Sequence, residues 1–265
     1  MTIGRHPPAR GARIGWLCLA LGICACLPAG AYAGQPQTVK LKVALQPDRP
    51  GSPTTIHFGF RVWGPKRTLP SAVTSLTLRL PENMGLATTT LGQATCYRRP
   101  LLEDGLAGCS ENARLGFGDA VAVVPLRAHP VYERASLTAL MGPPTGGHTQ
   151  VLFYAEGLSP VFAQFIFPGV LFSDARPFGD RIDTTIPLVT PWPEGPNIAL
   201  ASFSSTIGPL HLIYHRLVNG KRVAYRPHGI TIPRRCPRGG FPFAALLAFD
   251  DGTTTESVAH VPCPH

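Results

Sequence analysis

The sequence predicts an all-β protein: an antiparallel β-sandwich or jelly-roll-like fold of about twelve to fifteen short strands, with little or no helix. Three observations predict it. The 28 glycines and 29 prolines divide the chain into short runs with turn signals between them, the rhythm of hairpins and not of βαβ units. Several of those runs alternate apolar and polar residues with period two. Asn219-Gly220 and Asp251-Gly252 lie between extended runs, and such pairs tolerate the positive φ of tight hairpin turns.

Taken in order, Thr38–Leu45 alternates cleanly. Val39, Leu41, Val43 and Leu45 share one face, with Lys40 and Lys42 on the other. Pro47–Pro53 turns the chain. Thr54–Val62 then sets Ile56, Phe58, Phe60 and Val62 inward and His57 and Arg61 outward. Ser75–Leu80 continues the pattern. The segment 91–109 reads as a loop, and Glu103–Arg114 as the one place for a short helical turn. Leu115–Val124 returns to strand, with Gly116 and Gly118 marking a bulge or a close backbone approach.

Ala135–Met141 and Thr149–Glu156 flank a Gly/Pro loop. Val161–Phe167, between Pro160 and Pro168, is apolar throughout and predicts a strand covered on both faces. Arg181–Val189, Ile198–Thr206, Leu210–Leu217 and Arg222–Arg226 follow. The terminal hairpin spans Cys236 to Cys263. Residues 34–265 read as one domain. The alternative is two smaller sandwiches, 38–128 and 131–265, divided at Ala128-His129-Pro130.

Residues 1–33 read as a signal peptide: Arg5, Arg10 and Arg13, an apolar core from Trp16 to Leu27, and Ala31-Tyr32-Ala33 before the cleavage point. Lipid attachment at Cys26 is the alternative. No later run approaches the ~20 apolar residues of a membrane helix. Cleavage removes three arginines and takes the net charge from +9 to +6. It also removes Cys18, Cys24 and Cys26. Cys96, Cys109, Cys236 and Cys263 remain, an even set for an oxidising compartment. Of the three possible connectivities, Cys96–Cys109 and Cys236–Cys263 each close a short, turn-rich loop. No Cys-x-x-Cys spacing suggests a metal, and no cofactor is expected.

Candidate chemistry is sparse. His211 and His215 are too far apart on a strand, about 13 Å, to share one ion. The stretch Gly157-Leu158-Ser159-Pro160-Val161 lacks the second glycine of a nucleophile elbow, so Ser159 reads as a turn residue. Glu156, Asp174, Asp180, Asp183 and Glu194 are the carboxylates for a glycosidase pair, with surface ion pairs to Arg176 and Arg181 as the plainer reading. Trp63 and Trp192 stand beside turn prolines, where rings could stack on sugars. The basic clusters Arg98-Arg99, Lys221-Arg222 and Arg234-Arg235 with Arg238 suit an anionic envelope polymer or lipid head groups. No nucleic-acid motif accompanies them.

Three runs resemble a family of secreted, uncharacterised proteins from high-GC actinobacteria. They are Cys109 with Arg114-Leu115-Gly116-Phe117-Gly118, then Phe203-Ser204-Ser205-Thr206-Ile207-Gly208-Pro209-Leu210, and Cys236-Pro237-Arg238-Gly239-Gly240-Phe241-Pro242-Phe243. The resemblance implies an exported β-rich fold and transfers no site residue. The expected function is a non-enzymatic structural or binding protein of the cell envelope or extracellular space. A carbohydrate-active hydrolase and an apolar-ligand carrier are the alternatives.

Overall fold

A computed structural model of the chain describes residues 35–86, 90–126, 129–159 and 162–264. The expected signal peptide, with Cys26, lies outside the described residues, as do Ala128 and Val161. The fold is all-β and antiparallel. Its strands are β1 Thr38–Gln46, β2 Pro53–Trp63, β3 Val73–Pro81, β4 Arg114–Val124, β5 Val131–Met141, β6 Gln150–Ser159, β7 Ala163–Ser173, β8 Phe178–Thr185, β9 Ala199–Ile207, β10 Tyr214–Val218, β11 Lys221–Tyr225, β12 Ile230–Thr231, β13 Phe241–Phe249 and β14 Thr254–Val261.

One sheet runs in the order β1-β2-β9-β4-β5-β6-β7-β8-β3-β13-β14, with β12 paired to β2. β10 and β11 form a separate hairpin. Strands from both sides of position 128 interleave, because β2 pairs β9 and β3 pairs both β8 and β13.

The sheet curls until it is nearly closed. Phe153 on β6 and Phe203 on β9 stand three strands apart in sheet order, about 14 Å at normal strand spacing, yet their ring centroids are 6.5 Å apart. The two end strands meet through side chains. Ser257 Oγ accepts from the Leu41 amide at 3.0 Å, and Thr255 Oγ1 donates to the Gln37 carbonyl at 2.8 Å. The interior is filled by the inward positions: Phe58, Phe60, Leu76, Leu78, Phe153, Phe203, Phe241, Phe243 and Leu247 all belong to one buried cluster.

A second, smaller core lies on the outer face of β5–β7. The loop after Leu91 contains helix α1, Arg98–Asp104, and two short 3-10 turns. Helix therefore begins at Arg98, earlier than the expected Glu103–Arg114. Leu101 and Cys96 from this loop pack on Leu140, Leu152, Tyr154 and Ile166. Ile166 faces this second core while Phe165 and Phe167 face the first, which accounts for the doubly apolar run. β7 continues through Pro168 to Ser173 because its pairing with β8 starts only at Gly169. The first half of the strand is therefore an edge on that side, where a missing N–H is tolerated.

Both disulfides pair as expected, with Cα–Cα distances of 5.2 Å for Cys96–Cys109 and 6.2 Å for Cys236–Cys263. The first holds the α1 loop on its outer core. The second closes the open end of the β13–β14 hairpin. At the Asn219-Gly220 turn both residues take positive φ, 51° and 74°. At the other turn only Gly252 does, at 80°. Asp251 instead accepts at Oδ1 from the Thr253 amide at 2.8 Å and its hydroxyl at 2.6 Å, the side-chain turn typical of aspartate. Its Oδ2 accepts from Gln37 Nε2 at 2.8 Å and Ser71 Oγ at 2.7 Å. Asp250 accepts from the Ala72 amide and from Asn197 Nδ2. The hairpin tip thus ties together β1, the loop before β3 and the loop before β9.

Two carboxylates respond to this packing in opposite directions. Burial alone would raise Asp251, but the hydrogen bonds from Thr253, Ser71 and Gln37 together hold it below its ordinary value. Glu133, 9% exposed, is pushed up by burial, and its Oε1 has no partner among the described residues. A Cβ at Gly157 would run into that oxygen, so the glycine of the supposed elbow is a strand residue that makes room for Glu133.

The depressed Asp251 contributes stability above the unfolded aspartate value, near 3.9, and loses it as pH falls through the lower folded value. Solvent screens the exposed carboxylate, so Asp251→Asn should lower stability at pH 7 by at most about 1 kcal/mol, and the loss should shrink in urea titrations repeated toward pH 2. Raised Glu133 has the reverse sign: its charge weakens the fold as pH rises above about 4.3. Glu133→Gln should stabilise the protein by on the order of 1 kcal/mol at pH 7 and by nothing at pH 3, read from the same titrations.

Candidate functional site

The outer face of β1, β2, β9 and β4 carries a groove of about 1020 Å³. Three rows of residues cross it in register. Lys42 faces Gly59, Gly59 faces Ser204, and Ser204 faces Asp119. On one side the row is Ala44, His57, Thr206 and Phe117; on the other it is Lys40, Arg61, Ser202 and Val121. The half-buried indole of Trp63 and the exposed His260 also line the groove.

Each strand supplies its own chemistry to the groove through its outward positions. β1 presents lysines. β2 presents His57, Gly59 and Arg61, and β9 presents the hydroxyls of Ser202, Ser204 and Thr206. His57 Nδ1 lies 3.0 Å from Thr206 Oγ1, which fixes the imidazole on the groove wall. Gly59 leaves the floor bare: a Cβ there would sit 2.8 Å from the Phe203 carbonyl of the neighbouring strand.

The electrostatics are one-sided. Lys40 and Arg61 are directly opposed across β1 and β2, with Lys42 on the same face two residues along. Like charges in that relation repel. None of the three forms an ion pair among the described residues, and Asp119 is the one carboxylate residue lining the groove.

The basic clusters read from sequence go to three separate elements. Arg98 donates to the Ile166 carbonyl at 3.1 Å and so fastens α1 to β7. Arg99 pairs with Glu103 one turn along the helix, at 2.8 Å. Arg222 on β11 lies 3.3 Å from Glu111, and Lys221 is exposed beside the turn. Arg234, Arg235 and Arg238 are exposed around Cys236. Arg234 and Arg235 line a second cleft of about 850 Å³ together with Arg176, which is tied to Glu82 at 3.1 Å.

The five candidate carboxylates occupy different settings. Asp174 and Asp183 both converge on Arg181, at 3.8 and 2.9 Å, and Asp174 also meets Arg79 at 3.1 Å. Asp183 accepts from Thr77 as well. Asp180, by contrast, is raised by burial. Glu156 lies within hydrogen-bonding distance of Tyr154 and Gln164, and Glu194 is exposed in a turn at φ 61°. Burial, then the neighbouring Glu156, raise the Tyr154 phenol.

The expected Leu210–Leu217 strand begins only at Tyr214. His211 lies before it in a turn at φ 62°, its ring against Phe117, while His215 on β10 meets Glu111 at 3.1 Å. The two histidines therefore do not share a strand. Ser159 is the last residue of β6 and not part of a turn. Among the described residues no three His, Cys, Asp or Glu side chains gather as metal ligands would. Trp192 is half-buried against Gly195.

Lys40, Lys42, His57 and Arg61 were all visible in the sequence as outward positions of alternating strands. Their meeting with β9 was not. No known family model matches this chain, nor does any curated protein or solved structure.

The far wall of the groove depends on a tight seam. Arg114–Gly118 and Phe203–Leu210, two of the runs singled out by resemblance, contain register partners: Gly116 faces Ile207, and Gly118 faces Ser205. A Cβ at Gly118 would run into the Ser204 carbonyl. Gly118→Ala should lower stability by about 2–3 kcal/mol, as overpacking of a closed site does, measured as a shift of the denaturant midpoint at unchanged slope.

Proposed function

We propose that the chain is a non-enzymatic binding protein of the cell envelope or extracellular space, and that its groove on β1, β2, β9 and β4 holds an anionic polymer. The opposed Lys40–Arg61 pair carries this reading. Two cations are held face to face with a third beside them, none of them in an ion pair among the described residues, and Asp119 is the one carboxylate residue lining the groove; a bound anion relieves that arrangement. The serine and threonine hydroxyls of β9 can donate to the same ligand, and Trp63 offers a ring face to a sugar. An acidic polysaccharide combines these features.

Two disulfides fit an oxidising compartment. Among the described residues no helix is long and apolar enough to cross a membrane. The expected export and the resemblance to exported actinobacterial proteins belong to this same reading. A hydrolase would need two cooperating carboxylates, and the groove offers Asp119 alone. A carrier would need interior room where Phe58, Phe60 and Phe153 pack around Phe203.

The test is titration of the protein with polygalacturonate and with neutral dextran at low and high salt. Polygalacturonate should bind and dextran should not, and added salt should weaken the binding. Lys42→Glu with Arg61→Glu should weaken it at least tenfold, about 1.4 kcal/mol. The proposal fails if binding is absent at low salt or survives the double charge reversal.

A further inference from the structure

The β10–β11 hairpin stands outside the main sheet and pairs only with itself. Its root is fixed. Tyr214 is fully buried; its hydroxyl donates to the Arg114 carbonyl and accepts from the Gly92 amide at 3.0 Å. Asn112 clamps the backbone of His215 from both sides, at 2.7 and 2.9 Å. Beyond the root the strands are exposed.

What they expose is unusual for a surface facing water. Leu217 is 78% exposed, Val218 42% and Val223 40%, and Ile213, just before the root, is 56% exposed. Interleaved with them are Arg216, Lys221, Arg222 and Arg226; residues 213–226 contain no acid, and the acid that meets the hairpin is Glu111, beside His215 and Arg222. Leu217 and Val218 precede the Asn219-Gly220 turn and point to opposite faces of the ribbon, so each face of the tip carries one apolar side chain. Lys221 pairs across from Val218 and Arg222 from Leu217, which sets two cations at the same level as the apolar pair.

We infer that this hairpin is a membrane-surface contact, whose tip inserts Leu217 and Val218 among the acyl chains of a bilayer rich in anionic phospholipid. Lys221 then reaches back along its long stem to the phosphate level, Arg222 stays beside Glu111 at 3.3 Å, and Arg216 and Arg226 follow behind. Interleaved apolar and cationic side chains are what an interfacial element requires. A protein partner of matching shape would have to supply acids and apolar pockets in alternation along both faces of a narrow ribbon. A bilayer surface supplies both everywhere. The fixed root prevents the tip from folding back to bury its own apolar side chains.

The experiment is vesicle flotation of the full-length chain with phosphatidylglycerol–phosphatidylcholine mixtures and with phosphatidylcholine alone. Binding should require phosphatidylglycerol. Leu217→Ser with Val218→Ser, and separately Lys221→Glu with Arg226→Glu, should each reduce it at least tenfold, with circular dichroism unchanged. Leu217→Trp should give a blue-shifted emission on the anionic vesicles. Lys42→Glu with Arg61→Glu should still float, which separates this surface from the groove. Absence of flotation at low salt, full binding by the serine variant, or an unshifted tryptophan would overturn the inference. So would a concentration-dependent dimer in sedimentation that the serine variant abolishes, since the tip would then bind a second copy.

Discussion

A β-sheet leaves two rows of unpaired backbone groups at its edges, and every buried N–H and C=O must find a partner. A twelve-stranded sheet cannot stay open and flat without exposing one apolar face along its whole width. Here the sheet bends until β1 and β14 meet, and hydroxyls do the joining where a regular ladder would otherwise run: Ser257 to the Leu41 amide, and Thr255 to the Gln37 carbonyl. The bending turns the inward positions of opposite strands toward one another, so that Phe153 and Phe203 touch. The stacked phenylalanines, the outer loop and the groove all follow from that closure.

Closure also decides where the remaining chain goes. In the long segment between β3 and β4, Met84 and Leu91 plug the main core, and the rest of the loop, from Ala94 to Ala113, lies on the outside, over β5–β7. Its disulfide then holds an apolar patch that would be too small to stay ordered alone. The terminal disulfide works at the other end of the order, on the last hairpin, whose tip gathers Gln37, Ser71, Ala72 and Asn197 through two adjacent aspartates.

The all-β class, the hairpin at Asn219-Gly220 and the inward faces of β1 and β2 were legible in the sequence because they rest on local periodicity and turn chemistry. The disulfide pairs were legible because both loops are short. Pro168 was misleading. Proline reads as the end of a strand, and only the late start of the β8 pairing shows why β7 continues. His211 was misleading in the same way: an apolar–polar run looked extended, but a turn at Pro209 comes first. The candidate site was half legible. Lys40, Lys42, His57 and Arg61 are outward by alternation alone, whereas Ser202, Ser204 and Thr206 join them through a β2–β9 pairing more than 140 residues apart. Adjacent arginines were the louder signal and the weaker one, since Arg98 and Arg99 each have a structural partner.

The meeting of β1 with β14 sets a condition on timing. Gln37 and Asp251 are 214 positions apart, so a ribosome releases the first strand long before the strand that must lie against it. Until β14 emerges, the β1 side of the nascent sheet is an unprotected template for other chains. Whatever escorts this protein during synthesis has to shield that first strand while more than two hundred further residues are made.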